Sequence, residues 1–270
     1  MKRSNLITRA QWLSLTLLLT AFAPSLRAQS TTEASGTQED KWRMFSVPYL
    51  WAAGLEGDVT IKGVTADVDV GFDTIKDHLQ GALMTYIEVR RDKFGFFANP
   101  MFMKLEADGS IFDGGDADFE QKLWIVELGG FYNLGSWGEN HPVTLDALGG
   151  GRYWNNDMEL DVSGPIVGTR SLSRDEDLTD LFAGFRVHQR VTERLSWSVR
   201  ADVGGFGIIG DSSDFSWNAM ALLGFELTKH FTLWGGYRAL SVDKEHGSGA
   251  SKRGLDLTLH GPIIGLEIRF

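Results

Sequence analysis

The last ten residues, GPIIGLEIRF, constrain the fold more than any other stretch of the chain. Counting back from Phe270, every second position is apolar: Ile268, Leu266, Ile264 and Pro262. Arg269, Glu267 and Gly265 alternate with them and are polar or tiny. A period of two gives a strand with two unlike faces. A soluble sheet edge usually ends in polar residues, whereas this strand ends on an aromatic. Apolar outside, polar inside and an aromatic at the boundary are what the wall of a transmembrane β-barrel needs. Phe270, Ile268, Leu266 and Ile264 also form the expected insertion signal, read by the barrel-assembly machinery.

The N-terminus points to the same compartment. Lys2, Arg3 and Arg9 precede an apolar run, Trp12 to Phe22, followed by Pro24 and a small-residue site ending at Ala28. That layout predicts a cleaved signal peptide over residues 1–28, too short and wrongly flanked for a spanning helix. Residues 29–41 are polar and read as a flexible periplasmic lead-in, which leaves 42–270 for the barrel. The chain has no cysteine, which excludes disulfides, thiolate metal sites and cysteine nucleophiles. Removing Lys2, Arg3, Arg9 and Arg27 leaves 22 basic residues (26 less four) against 36 acidic, a net charge of −14. Phosphate binding needs the opposite sign, so a nucleic-acid partner is not expected.

The remainder parses into hairpins. Strands are predicted at 43–55, 81–91, 94–107, 117–134, 141–155, 176–191, 194–208, 214–228, 231–243 and 255–270. Short connections such as RRDKF, RVTERL and LTKHF alternate with longer ones rich in Asp and Gly, such as VDKEHGSGASKRG. Outer-membrane barrels pair short periplasmic turns with longer external loops, so the acidic loops are expected outside the cell. The fold class predicted is all-β, an antiparallel up-and-down barrel of about ten strands. The count becomes twelve if a hairpin over 57–71, turning near Lys62–Gly63, enters the wall; eight is a further alternative. Phe72, Ile75 and Leu79 stand at helical spacing and predict a short helical segment near 72–80. Pro48 forfeits a ladder donor, so an irregularity is expected in the first strand.

Strand alternation assigns the faces. Phe215, Trp217, Ala219, Ala221, Leu223, Phe225 and Leu227 are expected to face lipid, as are Leu195, Trp197, Val199, Ala201 and Val203. Aromatics near strand ends, Tyr49, Trp51, Tyr132, Trp197, Trp217, Phe231 and Phe270, are expected at headgroup depth. The opposite face collects Glu88, Arg90, Glu127, Asp146, Arg152, Asp180, Arg186, His188, Arg190, Arg200, Asp202, Glu226, Arg238, Glu267 and Arg269. A narrow barrel fills its interior with side chains, and buried charges persist when paired. This set therefore reads as a lumen salt-bridge network.

Pro48–Trp51, the run Ala147–Trp154 (ALGGGRYW), Ala201–Gly207 (ADVGGFG) and the closing His260–Gly261–Pro262 together resemble a widespread proteobacterial family of uncharacterised outer-membrane β-barrel proteins. The likeness runs from about Trp42 to Phe270. It implies a barrel in the outer membrane and brings no catalytic residues to carry over.

Chemistry is sparse. His188 with Ser196, Ser198 and Asp202 could form a hydrolase set, but lumen packing accounts for the same residues. Asp243, Glu245 and His246 read as a solvated loop edge. Asp113, Asp116 and Asp118, and Asp157, Glu159 and Asp161, match no EF-hand spacing, though divalent cations could bridge such acidic loops to lipopolysaccharide. The Gly149–Gly151 run lacks the strand-to-helix context of a nucleotide loop and gives room in a filled wall. No cofactor, resident metal or catalytic residue is expected. The expected function is a non-enzymatic outer-membrane barrel with a side-chain-filled, charge-balanced lumen and a structural or surface-interaction role. A narrow solute channel and a rim hydrolase acting on lipid or peptide are the alternatives.

Overall fold

The computed structural model describes residues 41–61, 63–111, 115–164 and 168–270. The expected signal peptide and the lead-in up to residue 40 lie outside them. In chain order the elements are β1 (Arg43–Trp51), β2 (Gly54–Ile61), β3 (Val64–Val70), α1 (Phe72–His78) and β4 (Leu79–Arg91). Next come β5 (Phe94–Ile111), β6 (Gly115–Trp137), β7 (Val143–Gly164) and β8 (Gly168–Arg190). β9 (Leu195–Gly205), β10 (Phe215–Glu226), β11 (Phe231–His246) and β12 (Arg253–Arg269) complete the chain. Twelve strands form one antiparallel sheet, and ten of them, β1 with β4 to β12, close on themselves through β1–β12.

The closing seam explains why the hairpin does not add to the ring. The lower part of β12 pairs with β1, from Arg269 opposite Phe45 to Ile263 opposite Trp51. Its upper part pairs with β2, from His260 opposite Gly54 to Gly254 opposite Thr60. β2 therefore continues the line of β1, and β3 lies beyond it as an extension of the wall. On the other side, β1 pairs with β4 only up to Pro48 opposite Thr85. The ladder stops at the residue that has no N–H to donate, as a proline within a strand requires. α1 follows β3 at this level and buries Ile75, one of the residues at helical spacing. Lys76 Nζ donates to Asp73 at 2.7 Å, which draws the Asp73 carboxyl below its ordinary value.

The two ends of the barrel differ. One carries Arg43, Phe270 and the short connections after β4, β6, β8 and β10; it is called the turn end here. The other carries longer hairpins. The Asp- and Gly-rich stretches read as loops are mostly strand: β5 runs to Ile111, β7 to Gly164 and β8 starts at Gly168. The antiparallel ladder continues through these stretches, and their polar side chains do not interrupt it.

Outward-facing apolar residues form a belt, among them Leu50, Leu83, Leu128, Leu223 and Ile264, each more than half exposed. The expected lipid faces of β9 and β10 point outward. Tyr132, Phe231 and Phe270 are exposed as expected for a girdle, but Tyr49 and Trp51 are not. In β1 the odd positions face the lumen, and these two rings are buried there. Both faces of β1 are apolar, since Met44 and Leu50 face out, so alternation alone does not orient it.

Glycines make the narrow interior possible. The register runs Phe97, Gly129, Gly150, Phe182, Gly204 across five neighbouring strands, two rings among three gaps. A Cβ on Gly129 would stand 2.6 Å from the Phe97 ring, and one on Gly150 would stand 2.1 Å from the Leu128 carbonyl oxygen. Either methyl would evict a ring or push the strands apart.

Candidate functional site

The interior is layered from the turn end to the hairpin end. The central layer is built by inward positions of β5, β6, β7, β9, β10 and β11. Glu127 is fully buried and meets three guanidinium groups: Arg152 Nε at 2.9 Å, Arg238 Nη2 at 2.9 Å and Arg200 Nη1 at 3.2 Å. Asp202 accepts from Arg152 Nη2 at 2.6 Å, Arg200 Nε at 2.9 Å and Asn218 Nδ2 at 2.9 Å. Asn99 joins the layer by donating to Glu127 and accepting from the Tyr49 hydroxyl. Arg238 Nε donates to Asn218, which links the two amides to the ion pairs. Every carboxylate oxygen in the layer is therefore satisfied, the condition under which buried charges are retained.

The arginines are also held by aromatic faces. Arg200 lies over Phe97 and Phe182, at 5.1 and 5.4 Å from the ring centroids, and Arg152 lies 4.9 Å over Phe182. These are the rings seated over the glycine gaps. The same stacking accounts for Arg152 Nη1 and Arg200 Nη2, buried donors without a hydrogen-bond partner.

A second layer lies toward the turn end. Arg186 bridges Glu88 at 2.6 Å and Asp146 at 2.8 Å, and Arg90 reaches both carboxylates at 3.2 Å. At the rim, Glu226 pairs with Arg190 at 2.8 Å and Arg269 at 3.2 Å, and Arg269 also reaches Glu267. The fifteen predicted lumen residues comprise seven arginines, seven carboxylates and His188. The structure gathers them into three groups and not one network. Asp180 sits apart: it accepts from the backbone N–H and Oγ of Ser213 and from Ser212 Oγ, which come from the connection after β9.

Two features escape a reading of alternation alone. Ser212 and Ser213 belong to a connection that carries no strand period, so nothing in its pattern shows it folding inward. Toward the hairpin end the interior is apolar, with Trp51, Met84, Met101, Ile125, Trp154, Leu178, Leu240 and Leu259 buried together. Asn99 and Asn218 were detectable, since each stands in register with a charged inward position on a neighbouring strand.

The candidate hydrolase set is dispersed among other duties. Asp202 is consumed by two arginines and an amide, while His188 faces Ser198 across the β8–β9 ladder and packs 6.1 Å from Trp234. Glu245 receives Lys252 at 2.8 Å, and its N–H donates to Asp214. Asp113 lies outside the described residues. Asp157, Glu159 and Asp161 stand along β7, opposite Asp175, Ser173 and Ser171. Among the described residues no group of three metal-ligating side chains converges. On the outer surface, Asp67, Asp58, Asp256 and Asp243 stand directly opposite one another across four strands.

The chain is similar in fold to solved outer-membrane β-barrels. The translocator domain of the autotransporter NalP from Neisseria meningitidis matches with a TM-score of 0.50 at 13% identity, over 97% of each chain. Neisserial surface protein A gives a TM-score of 0.34 at 12% identity, over 85% of this chain and 97% of that one. Ail of Yersinia pestis gives 0.32 at 14% identity, over 86% and 99%. No protein-family model and no curated protein matches the chain. The chain therefore has the fold of an outer-membrane β-barrel with a buried salt-bridge network in its interior.

Proposed function

We propose that this barrel resides in the bacterial outer membrane as a non-enzymatic, non-conducting protein with a structural or surface-interaction role. The observation that carries the reading is the sealed centre: Glu127 and Arg152 are both 0% exposed, with an apolar layer stacked behind them. A conducting pore keeps its charged groups wet and biased to one sign. Here the fifteen lumen groups balance and the central ones are buried. Swelling of proteoliposomes in isotonic arabinose should match that of protein-free liposomes; faster swelling would replace this reading with a solute channel.

The turn end faces the periplasm in this account, and the proteobacterial family noted above supplies a consistent setting. Lipid and lipopolysaccharide surround the belt, and the assembly machinery acts at the closing strand. The outer aspartate row repels anionic headgroups and would meet them through divalent cations. Orientation is tested with Ser248→Cys and Glu193→Cys in a background that has no native cysteine. An impermeant thiol reagent on intact cells should label the first and spare the second. The reverse pattern would invert the topology.

A further inference from the structure

A cavity of about 500 Å³ opens at the turn end and stops against the central layer. Its size falls within the range of small-molecule sites. One wall is apolar, with Val47, Met220, Leu222, Trp234 and Ile263. Its charge is unlike that of the chain. Seven arginines line it against three carboxylates, Glu88, Asp146 and Glu267. Glu127 and Asp202, which neutralise the deepest arginines, are not among the lining residues.

At the mouth Glu226 pairs with Arg190 and Arg269, so the uncompensated arginine there is Arg43. Arg43 and Arg90 stand directly opposite each other on β1 and β4, at inward positions. Like charges so placed repel. Arg90 is shared between Glu88 and Asp146, both also engaged by Arg186. Arg43 has no carboxylate partner among the described residues. Two arginines in facing register beside an apolar-walled cavity can receive one anionic head with an apolar body.

We propose that the turn-end cavity binds a small anionic amphiphile, its head between Arg43 and Arg90 and its apolar body against Leu222 and Trp234. The site does not depend on the closed-lumen reading, because it needs only the mouth and the first layer. Octanoate is a suitable probe, being short enough to titrate as a free molecule. Calorimetry on the full barrel in lipid nanodiscs, corrected against empty nanodiscs, should show saturable one-to-one binding. Octan-1-ol, of equal length but uncharged, should bind at least tenfold more weakly. Arg43→Gln, a rim change outside every ion pair described above, should weaken octanoate binding about tenfold. Leu222→Trp should abolish binding by filling the cavity. No saturable octanoate binding by the wild type, or equal binding by Arg43→Gln in a correctly folded barrel, would overturn the proposal. Silence in a conductance assay bears on the closed lumen alone, so the two ideas fail separately.

Discussion

Glu127→Ala is expected to lower the unfolding free energy of the barrel by about 3–5 kcal/mol, the usual cost of breaking a buried ion pair. The loss arises from what remains. Arg152, Arg200 and Arg238 all point at the vacated position, and only Asp202 stays to answer them. Asp202→Ala should act similarly, since it releases Arg152, Arg200 and Asn218 together. At the rim, Glu226→Ala removes the pairs to Arg190 and Arg269, both solvent-accessible, and it should cost under about 1 kcal/mol. Urea unfolding in lipid vesicles measures all three. Equal, small losses at positions 127 and 226 would mean that water reaches the central layer.

Deletion of Phe270 is expected to change assembly far more than stability. Its ring is 78% exposed, and its backbone contributes one bond, N–H to the Met44 carbonyl at 3.2 Å. Losing that bond costs on the order of 1 kcal/mol, which a ten-stranded ladder survives. An insertion signal at the terminus, by contrast, is lost outright. Cells carrying the deletion should accumulate unassembled protein in the periplasm, while the purified variant still refolds in detergent. Equal outer-membrane levels of the deletion and the parent would remove the signal from Phe270.

The barrel was legible because its signal is repeated. Each strand from β4 to β12 restates the period of two, and the connections alternate in length, so errors at single residues do not move the fold. The inward charges were readable for the same reason: Arg200 and Asp202 alternate with Val199, Ala201 and Val203 on one strand. Their grouping was not readable. Glu127 meets Arg238 across 111 residues of sequence, and that meeting depends on barrel diameter and stagger, which alternation does not specify. β1 misled because both of its faces are apolar, placing Tyr49 and Trp51 outside when the β1–β12 register puts them in. The apolar outer layer was hidden likewise: Met84, Ile125 and Leu240 have the composition of lipid-facing residues and only their parity marks them as interior. The extended hairpins were missed because Asp and Gly mark turns in a packed domain, whereas the antiparallel ladder here continues through them.

In the proposed reading the lumen is shut by the Glu127 layer and the apolar layer behind it. Current across a planar bilayer containing the refolded wild-type barrel tests this most directly. No steady conductance above that of the bare membrane is expected at either polarity. A steady, ohmic current that scales with the number of inserted barrels would contradict it.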